Sequence, residues 1–272
     1  MARKLTITVI VFTIAIYLGA IFLGLRLKKL PSLEIGSDPQ PKNVGWQPPR
    51  ESSIPQGALG VSIRRGSLIF DETPLYAPKY TGSKVSCANC HAEGGIQVYA
   101  SPMVGLPHLF PMYNKRAGHV ISLKDRIEEC FVRSENGKPL AYDGPEMQAI
   151  VDYINWLSTP QPNRQPFVGR GLINLPDLKP DPEHGSEIYA TQCAGCHGES
   201  GEGRPPQFPP LWGPNSFNDG AGMNRVNTMA SFVQHNMPQN RMGILSPQDA
   251  IDVSAYIHAQ PRPAFNQAFK HF

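Results

Sequence analysis

Two copies of the motif C-x-x-C-H contain the residues of this chain that are best suited to chemistry. They are Cys87-Ala-Asn-Cys90-His91 and Cys193-Ala-Gly-Cys196-His197. In this pattern the two thiols bond covalently to the vinyl groups of a haem, and the histidine ligates the iron. The sequence therefore predicts two covalently bound c-type haems, each with its own thioether pair and histidine ligand.

The surroundings of the two motifs repeat as well, which argues against the alternatives. A zinc site would need further Cys or His at ligand spacing, and a thioredoxin-like redox pair would need a preceding strand but no histidine. Neither explains why Gly66–Phe70 and Gly185–Tyr189, on predicted helices upstream, resemble each other. Amphipathic helices are predicted downstream at Ala149–Leu157 and Ala250–Ile257. This order predicts a mainly α fold with two tandem class I cytochrome c domains.

The residue on the far side of each iron decides what each haem can do. Four of the five cysteines lie in the motifs, and the fifth, Cys130, stands 39 residues after His91. Met237 stands 40 residues after His197, in Asn236-Met237-Pro238. We interpret Cys130 as the distal ligand of the first haem and Met237 as the distal ligand of the second.

Both assignments have competitors. Cys130 could be an inert buried thiol. Ser122 and Asp125, however, stand in capping-box positions and predict a helix over residues 122–133. On that helix Arg126 and Arg133 lie one turn away on either side of Cys130, where cations lower the pKa of a thiol. Other residues could also ligate iron, although residues of these types are more often part of the core or the surface. They are the methionines Met223, Met229 and Met242 and the lone histidines His108, His119, His235 and His258.

The elements that must position these residues follow from composition. The chain has 272 residues, 25 Gly and 28 Pro, which favours small, loop-rich domains. Residues 5–25 carry no charge and are long enough to cross a bilayer, and cations follow them. We predict an uncleaved transmembrane anchor at 1–30, a proline-rich tether at 31–56, a first cytochrome c domain at 57–160, a linker at 161–182, and a second domain with a C-terminal tail at 183–272. A cleaved, exported form is the alternative.

Charge and haem chemistry bound the location. The formal charge is +3, but five cations precede residue 31, which leaves residues 31–272 at −2 and gives no reason to bind nucleic acid. Covalent haem attachment of this kind takes place outside the bacterial cytoplasm. We therefore expect the haem domains on the periplasmic side of the inner membrane.

The chain resembles the dihaem c-type thiosulfate dehydrogenases from about Ile69 to Pro261. The resemblance rests on Ile69–Pro74, Ser86–His91, Arg126–Phe131, Phe208–Pro214, Ser216–Asn218, Gly220–Met223 and Asn236–Pro238. It differs from some relatives in having Asn236, not lysine, before the distal methionine, and the retained anchor is also unusual, because the family is commonly soluble after export.

The resemblance implies that two thiosulfates are joined to tetrathionate and that two electrons pass to an acceptor, a cytochrome c or terminal oxidase. It implies an active site at the first haem, with Cys130, Arg116, Arg126 and Ser134 as catalytic residues, and electron transfer through the second haem. The residues do not fix the direction, so tetrathionate reduction stays open. The alternatives are a membrane-tethered dihaem electron carrier without enzymatic activity and a peroxidase-like dihaem enzyme.

Electrostatics indicates what such a site must supply. Two dianions about 5 Å apart repel by about 3 kcal/mol in water and by about 13 kcal/mol at an effective dielectric constant of 20. Residues 113–133 carry a local surplus of +2. The planar guanidinium group suits sulfonate oxygens, which favours Arg116 and Arg126 over the lysines. Our hypothesis is that Cys130 leaves the iron, captures one thiosulfate covalently and is then attacked by the second.

Overall fold

The structure, a computed structural model, describes residues 47–159 and 167–272 and consists mainly of short helices. The helices are α1 Ala58–Asp71, α2 Thr73–Tyr76, α3 Cys87–Cys90, α4 Ala92–Gly95, α5 Leu123–Arg133, α6 Pro145–Ser158, α7 Pro182–Ile188, α8 Ala194–His197, α9 Val226–Asn236 and α10 Pro247–His258. Strands β1 Met112–Asn114 and β2 His119–Ile121 form an antiparallel hairpin in which Tyr113 pairs with Val120. A π-helical turn, Tyr189–Cys193, joins α7 to α8.

The predicted helical class is confirmed, and the repeat is visible as two lobes, residues 58–159 and 182–272. In the first lobe α1 crosses α6, and in the second lobe α7 crosses α10. A glycine allows each crossing. A Cβ atom at Gly66 would collide with the Ala149 carbonyl oxygen, and one at Gly185 would collide with the Asp252 carbonyl oxygen. The Gly-Ser pair that marks the repeat in the sequence is therefore a helix-crossing point in both lobes.

Each lobe has its own apolar core beside its C-x-x-C-H motif. The first core contains buried side chains from α1, α5 and α6, among them Ile69, Phe70, Phe131, Met147 and Ile154. The second core includes Tyr189, Trp212, Met229, Val253 and Ile257. In each lobe a buried tyrosine donates a hydrogen bond to the backbone just after the motif, from Tyr153 to the Gly94 carbonyl at 2.8 Å and from Tyr189 to the Gly198 carbonyl at 2.6 Å.

Helix α5 begins where the sequence predicts it. The Ser122 hydroxyl accepts a hydrogen bond from the Asp125 amide at 3.2 Å, and the Asp125 carboxylate accepts one from the Ser122 amide at 2.7 Å. This reciprocal capping box fixes the start of the helix, and Ser134 follows its last residue. Cys130 thus lies on a helix whose start is fixed by its own sequence.

Hydrogen bonds join the two lobes. Asn218 of the second lobe is buried, and its amide nitrogen donates to the Val132 carbonyl at 2.9 Å at the end of α5. The Lys84 amide donates to the Asn215 carbonyl at 2.8 Å. The described part of the predicted linker also packs on the first lobe, because the Arg170 guanidinium donates to the Val104 carbonyl at 2.7 Å.

The start of the chain is described only from residue 47. The last residues of the predicted tether form a 3₁₀ turn, Glu51–Ser53, and Ile54 after it is buried in the first core. Within residues 47–159 and 167–272, no helix has the length and apolar character needed to cross a bilayer. The predicted anchor over residues 5–25 lies outside the described residues.

Candidate functional site

A cavity in the first lobe brings together five of the seven site residues that the sequence predicts for the first haem. Cys87, Cys90, His91, Cys130 and Ser134 all line it. The rest of its wall is largely apolar and includes Phe70, Val85, Met103, Ile127, Phe131, Ile150 and Ile154. Residues more than forty positions apart in the sequence thus line one cavity. The two motif thiols lie on α3, His91 directly follows α3, and Cys130 lies on α5.

His91 is held in the orientation of a metal ligand. Its Nδ1 lies 2.8 Å from the Ser101 carbonyl oxygen, so Nδ1 carries the proton and Nε2 keeps its lone pair. Burial lowers the pKa of His91 to about 4, and the imidazole is neutral near pH 7. A neutral imidazole with a fixed tautomer is the form that binds iron.

The two motif thiols are positioned by the chain in front of them. The Thr73 hydroxyl accepts a hydrogen bond from the Cys87 amide at 3.1 Å and lies 3.4 Å from the Cys87 sulfur. Ser86 caps α3 reciprocally with Asn89. Burial raises the pKa of Cys90 to about 12, so the thiol is protonated. These contacts explain why Thr73 and Ser86 belong to the sequence pattern of the site.

Cys130 has a cation as its direct neighbour. Nη1 of Arg126 lies 3.2 Å from the Cys130 sulfur and 3.4 Å from a carboxylate oxygen of Glu129. A negative charge on the Cys130 sulfur raises the pKa of Arg126 above its usual value. The Arg126 side chain is 44% exposed, so that an anion from solution can reach it. Sulfur and guanidinium together can bind and attack an anion.

Ser134 and Glu135 complete the wall near the end of α5. The Glu135 side chain is almost fully buried, and its Oε2 has no hydrogen-bond partner in the part of the chain that the structure describes. Burial raises the pKa of this carboxyl well above its usual value, which favours the neutral acid. Sequence analysis missed Glu135, because a glutamate at the end of an amphipathic helix normally faces solvent.

Arg116 lies at the turn of the β1–β2 hairpin and is exposed; it does not line the cavity. Partial loss of solvent lowers its pKa, and the charges of Arg133 and Arg225 lower it further. Arg225 precedes α9 in the second lobe and was also missed by the sequence analysis. Its position near the first site depends on lobe packing, for which the local sequence carries no signal.

The other cations of the predicted positive surplus have different partners. Lys124 pairs with Asp143 at 2.9 Å. Arg133 is buried; it donates to the Phe272 carbonyl oxygen at 2.6 Å, and its guanidinium carbon lies 4.1 Å from the centre of the Phe265 ring. Arg133 is therefore a contact for the C-terminal tail, while Arg126 remains the cation beside Cys130.

The second motif is arranged like the first. Nδ1 of His197 lies 2.9 Å from the Pro209 carbonyl oxygen, and burial lowers the pKa of His197, so this imidazole is also neutral with Nε2 left for a metal. Cys193 packs against the second core, whereas Cys196 is exposed. Arg204 donates hydrogen bonds to the carbonyl oxygens of Gly195 and Cys196 and so ties down the motif.

Met237 directly follows α9 and is half-buried. Among its rivals, Met229 is buried in the second core, Met223 packs against that core, and Met242 is 43% exposed. Core packing thus accounts for two of them, and exposure argues against the third.

The donor sets fit haem. An apolar cavity with two thiols and an imidazole whose free nitrogen is Nε2 is what covalent attachment and axial ligation require. Two helical lobes, each with this motif and a buried tyrosine behind it, define a dihaem c-type cytochrome. Two protein-family models match the same two lobes. The model of the SoxA/TsdA cytochrome c domain matches residues 73–162, and the cytochrome c model matches residues 182–261.

Related proteins show which family of dihaem cytochromes the chain belongs to. The chain is 40% identical over 238 residues to the thiosulfate dehydrogenase of Allochromatium vinosum, across 84% of this chain and 88% of that protein. It is 41% identical over 224 residues to that of Stutzerimonas stutzeri, across 80% and 73%. The chain belongs to the thiosulfate dehydrogenase family, and its cofactors are two covalently bound c-type haems.

A solved structure gives the same result at the level of fold. Thiosulfate dehydrogenase (TsdBA) from Marichromatium purpuratum superposes on this chain with a TM-score of 0.73 at 36% identity. The match covers 80% of this chain and 50% of that one, so this chain spans half the length of the solved protein. The comparisons favour the enzyme over the electron carrier without enzymatic activity.

Proposed function

We propose that this protein is a thiosulfate dehydrogenase that joins two thiosulfates to tetrathionate and releases two electrons. The observation that carries this proposal is the contact between Arg126 and the sulfur of Cys130, a residue that lines the first cavity. A redox cofactor alone would need no such pair, because electron transfer requires neither a nucleophile nor a cation beside it. The pair is suited to a substrate that is both an anion and a sulfur compound.

The haems supply the redox chemistry by accepting one electron each. The first would be attached to Cys87 and Cys90 and ligated by His91 and Cys130. The second would be attached to Cys193 and Cys196 and ligated by His197 and Met237. Two such groups match the two electrons that the reaction releases.

In the first step, Cys130 acts as the nucleophilic sulfur. Arg126 binds sulfonate oxygens of one thiosulfate beside the Cys130 sulfur, while Arg116 and Ser134 orient the substrate from the hairpin and the end of α5. The Cys130 thiolate and the outer sulfur of thiosulfate form a sulfur–sulfur bond, and two electrons leave. Cys130 then carries an S-thiosulfonate group with one remaining negative charge.

In the second step, the outer sulfur of another thiosulfate attacks the outer sulfur held on Cys130. The new bond gives tetrathionate, and the old bond breaks to return the Cys130 thiolate, as in thiol–disulfide exchange. Only one dianion approaches a monoanion in this step, which avoids most of the repulsion between two free thiosulfates. The same bond changes in reverse reduce tetrathionate when the acceptor side supplies two electrons.

We infer the cellular arrangement from the sequence. Residues 1–30 anchor the chain in the inner membrane, and 31–56 tether the haem domains, 57–160 and 183–272, on the periplasmic side. The linker is 161–182. The second haem, held by His197 and Met237, would pass electrons to a cytochrome c or a membrane-held terminal oxidase. Cell fractionation tests this arrangement: release of the mature protein in soluble form would show that the N-terminal segment is cleaved.

The substitution Cys130→Gly tests the proposal. We expect the variant to keep two haems per chain, to lose the electron paramagnetic resonance signal of thiolate-ligated haem, and to lose thiosulfate turnover by roughly 10³-fold or more. Turnover is measured as thiosulfate-dependent reduction of an artificial acceptor, with tetrathionate as the quantified product. Ser83→Ala, a buried serine outside the cavity wall, is the matched control.

Two results would contradict the proposal. Retained turnover in Cys130→Gly would remove the cysteine from the mechanism. If thiosulfate fails to reduce the haems of the unmodified protein, the chain is an electron carrier and not a dehydrogenase.

A further inference from the structure

Residues 99–101 form a short segment that the linker holds in an unusual conformation. Tyr99 has φ 56° and Ser101 has φ 49°, in the left-handed region that residues with a side chain rarely adopt. The Tyr99 amide donates to the Gly169 carbonyl at 2.7 Å, and the Ser101 amide donates to the Gly171 carbonyl at 2.8 Å. Surrounding contacts therefore keep this conformation in place despite its cost.

The carbonyl oxygens of the same segment reach both lobes. The Ser101 oxygen lies 2.8 Å from Nδ1 of His91, the histidine of the first motif. The Tyr99 oxygen accepts a hydrogen bond at 3.1 Å from the side-chain amide of Asn236, a residue of the second lobe that precedes Met237. Three residues thus join the immediate surroundings of the two haem sites.

The contact with Asn236 is buried and has a fixed orientation. Asn236 is 2% exposed, and its amide nitrogen also donates to the Phe232 carbonyl at 3.0 Å. Because both partners are acceptors, the nitrogen must face them. The Asn236 Oδ1 is left buried without a hydrogen-bond partner in the described part of the chain, so Asn236 is specialised as a donor.

Aromatic packing reinforces this connection. The ring of Tyr99 meets the ring of His235 edge to face, with centroids 4.7 Å apart. His235 and Asn236 are the last two residues of α9, and the backbone leaves the helix at Met237. The point at which the chain turns toward Met237 is therefore fixed by the first lobe as well as by its own helix.

We propose that Asn236 is a positioning residue and that residues 99–101 couple the two haem sites through it. The proposal rests on the ligand roles of His91 and Met237 given under the proposed function. Methionine ligation raises the reduction potential of a haem, and the thioether is a weak ligand whose bond depends on where the backbone holds it. The potential of the second haem is thus set partly by a backbone carbonyl of the first lobe.

The test uses two variants of the second lobe and one of the first. Asn236→Leu keeps the size of the side chain and removes both donors, and Asn236→Ala removes the whole amide. Tyr99→Gly acts from the first lobe by removing the ring and relieving the left-handed strain. Gln234→Ala is the matched control, because it removes an amide-to-carbonyl hydrogen bond from the same helix to Leu245, within the second lobe.

The measurement is a redox titration of the purified dihaem protein without thiosulfate, with the charge-transfer absorption band of methionine-ligated ferric haem. We expect both Asn236 variants to weaken the band and lower the potential of the second haem, and Tyr99→Gly to shift that potential in the same direction. Gln234→Ala keeps both readouts of the unmodified protein.

An unchanged band and potential in the Asn236 variants would overturn the proposal and reduce Asn236 to a helix-end contact, even if thermal stability falls. An unchanged potential in Tyr99→Gly would also contradict coupling from the first lobe. If Asn236→Ala fails to fold, Asn236→Leu gives the same answer. Because no substrate is present, the result does not depend on whether thiosulfate is the substrate.

Discussion

At the scale of single residues, the site depends on the hydrogen bond that the Arg126 guanidinium donates to the Cys130 sulfur. The two residues lie one helical turn apart on α5. Their 3.2 Å contact combines a sulfur that can ligate or attack with a cation that is partly exposed to solvent. Glu129 limits the positive charge, since its carboxylate also lies 3.4 Å from Arg126. A bound dianion would therefore compete with Glu129 for the guanidinium group.

Replacing Arg126 tests this competition. We expect Arg126→Gln to lower kcat/KM for thiosulfate by roughly 10- to 150-fold, because the loss of a charge-assisted hydrogen bond costs about 1.5–3 kcal/mol. Arg126→Lys keeps the charge without the planar fork, so its kcat/KM should lie between that of the unmodified protein and that of Arg126→Gln. Steady-state kinetics measures the effect. The control is Lys124→Gln on the same helix; an equal loss in that variant would mean that only net charge matters.

At the scale of secondary structure, the sequence predicts the positions of the helices better than it predicts which residues pack around the site. The motif spacing, the capping residues Ser122 and Asp125 and the helical periodicity are local signals, and the structure has a helix at each place that they indicate. Glu135 and Arg225 escaped prediction because burial and proximity across lobes depend on packing, which sequence spacing does not encode.

An ion pair between the exposed His184 and the buried Asp252 makes the packing of α7 on α10 sensitive to pH. Nδ1 of His184 lies 2.9 Å from a carboxylate oxygen of Asp252, which is 1% exposed. The hydrogen bond to Asp252 raises the pKa of His184. Burial alone would raise the pKa of Asp252, but hydrogen bonds, chiefly from His184, bring it below its usual value.

The sign of the pH effect follows from these directions. The histidine contribution is fully present below its unfolded pKa of about 6.5 and is lost as the pH rises through its folded pKa; the aspartate contribution is present above about 3.9 and is lost as the pH falls through its folded pKa. We expect His184→Ala to lower the free energy of unfolding near pH 5.5 more than at pH 8.5, measured by urea denaturation. His258→Ala is the control, and a pH-independent loss would disprove the pair's role.

At the scale of the whole molecule, hydrogen bonds of a buried residue join the two lobes. Asn218 is 1% exposed and connects to the end of α5 through both its backbone and its side chain, with the backbone amide 3.2 Å from the Arg133 carbonyl oxygen. The same end of α5 carries Ser134 and Glu135 in the cavity wall. Contacts between lobes therefore support the first site directly.

Removing the Asn218 side chain measures the strength of this support. We expect Asn218→Ala to lower the free energy of unfolding by about 1–3 kcal/mol, because it leaves the buried Val132 carbonyl without its donor. The exposed neighbour Asn215, which contributes only its carbonyl oxygen, supplies the control Asn215→Ala. Equal chemical denaturation midpoints for the two variants would show that the lobes are held together elsewhere.

The contact between Arg133 and Phe272 has a consequence for biogenesis. The two residues are 139 positions apart, so their bond can form only after almost the entire second lobe has been synthesised. Until then, the Arg133 guanidinium lacks both the Phe272 oxygen and the Phe265 ring. The C-terminal tail is thus the last segment to join the end of α5, and Arg133 gains both its hydrogen bond and its aromatic neighbour at that late stage.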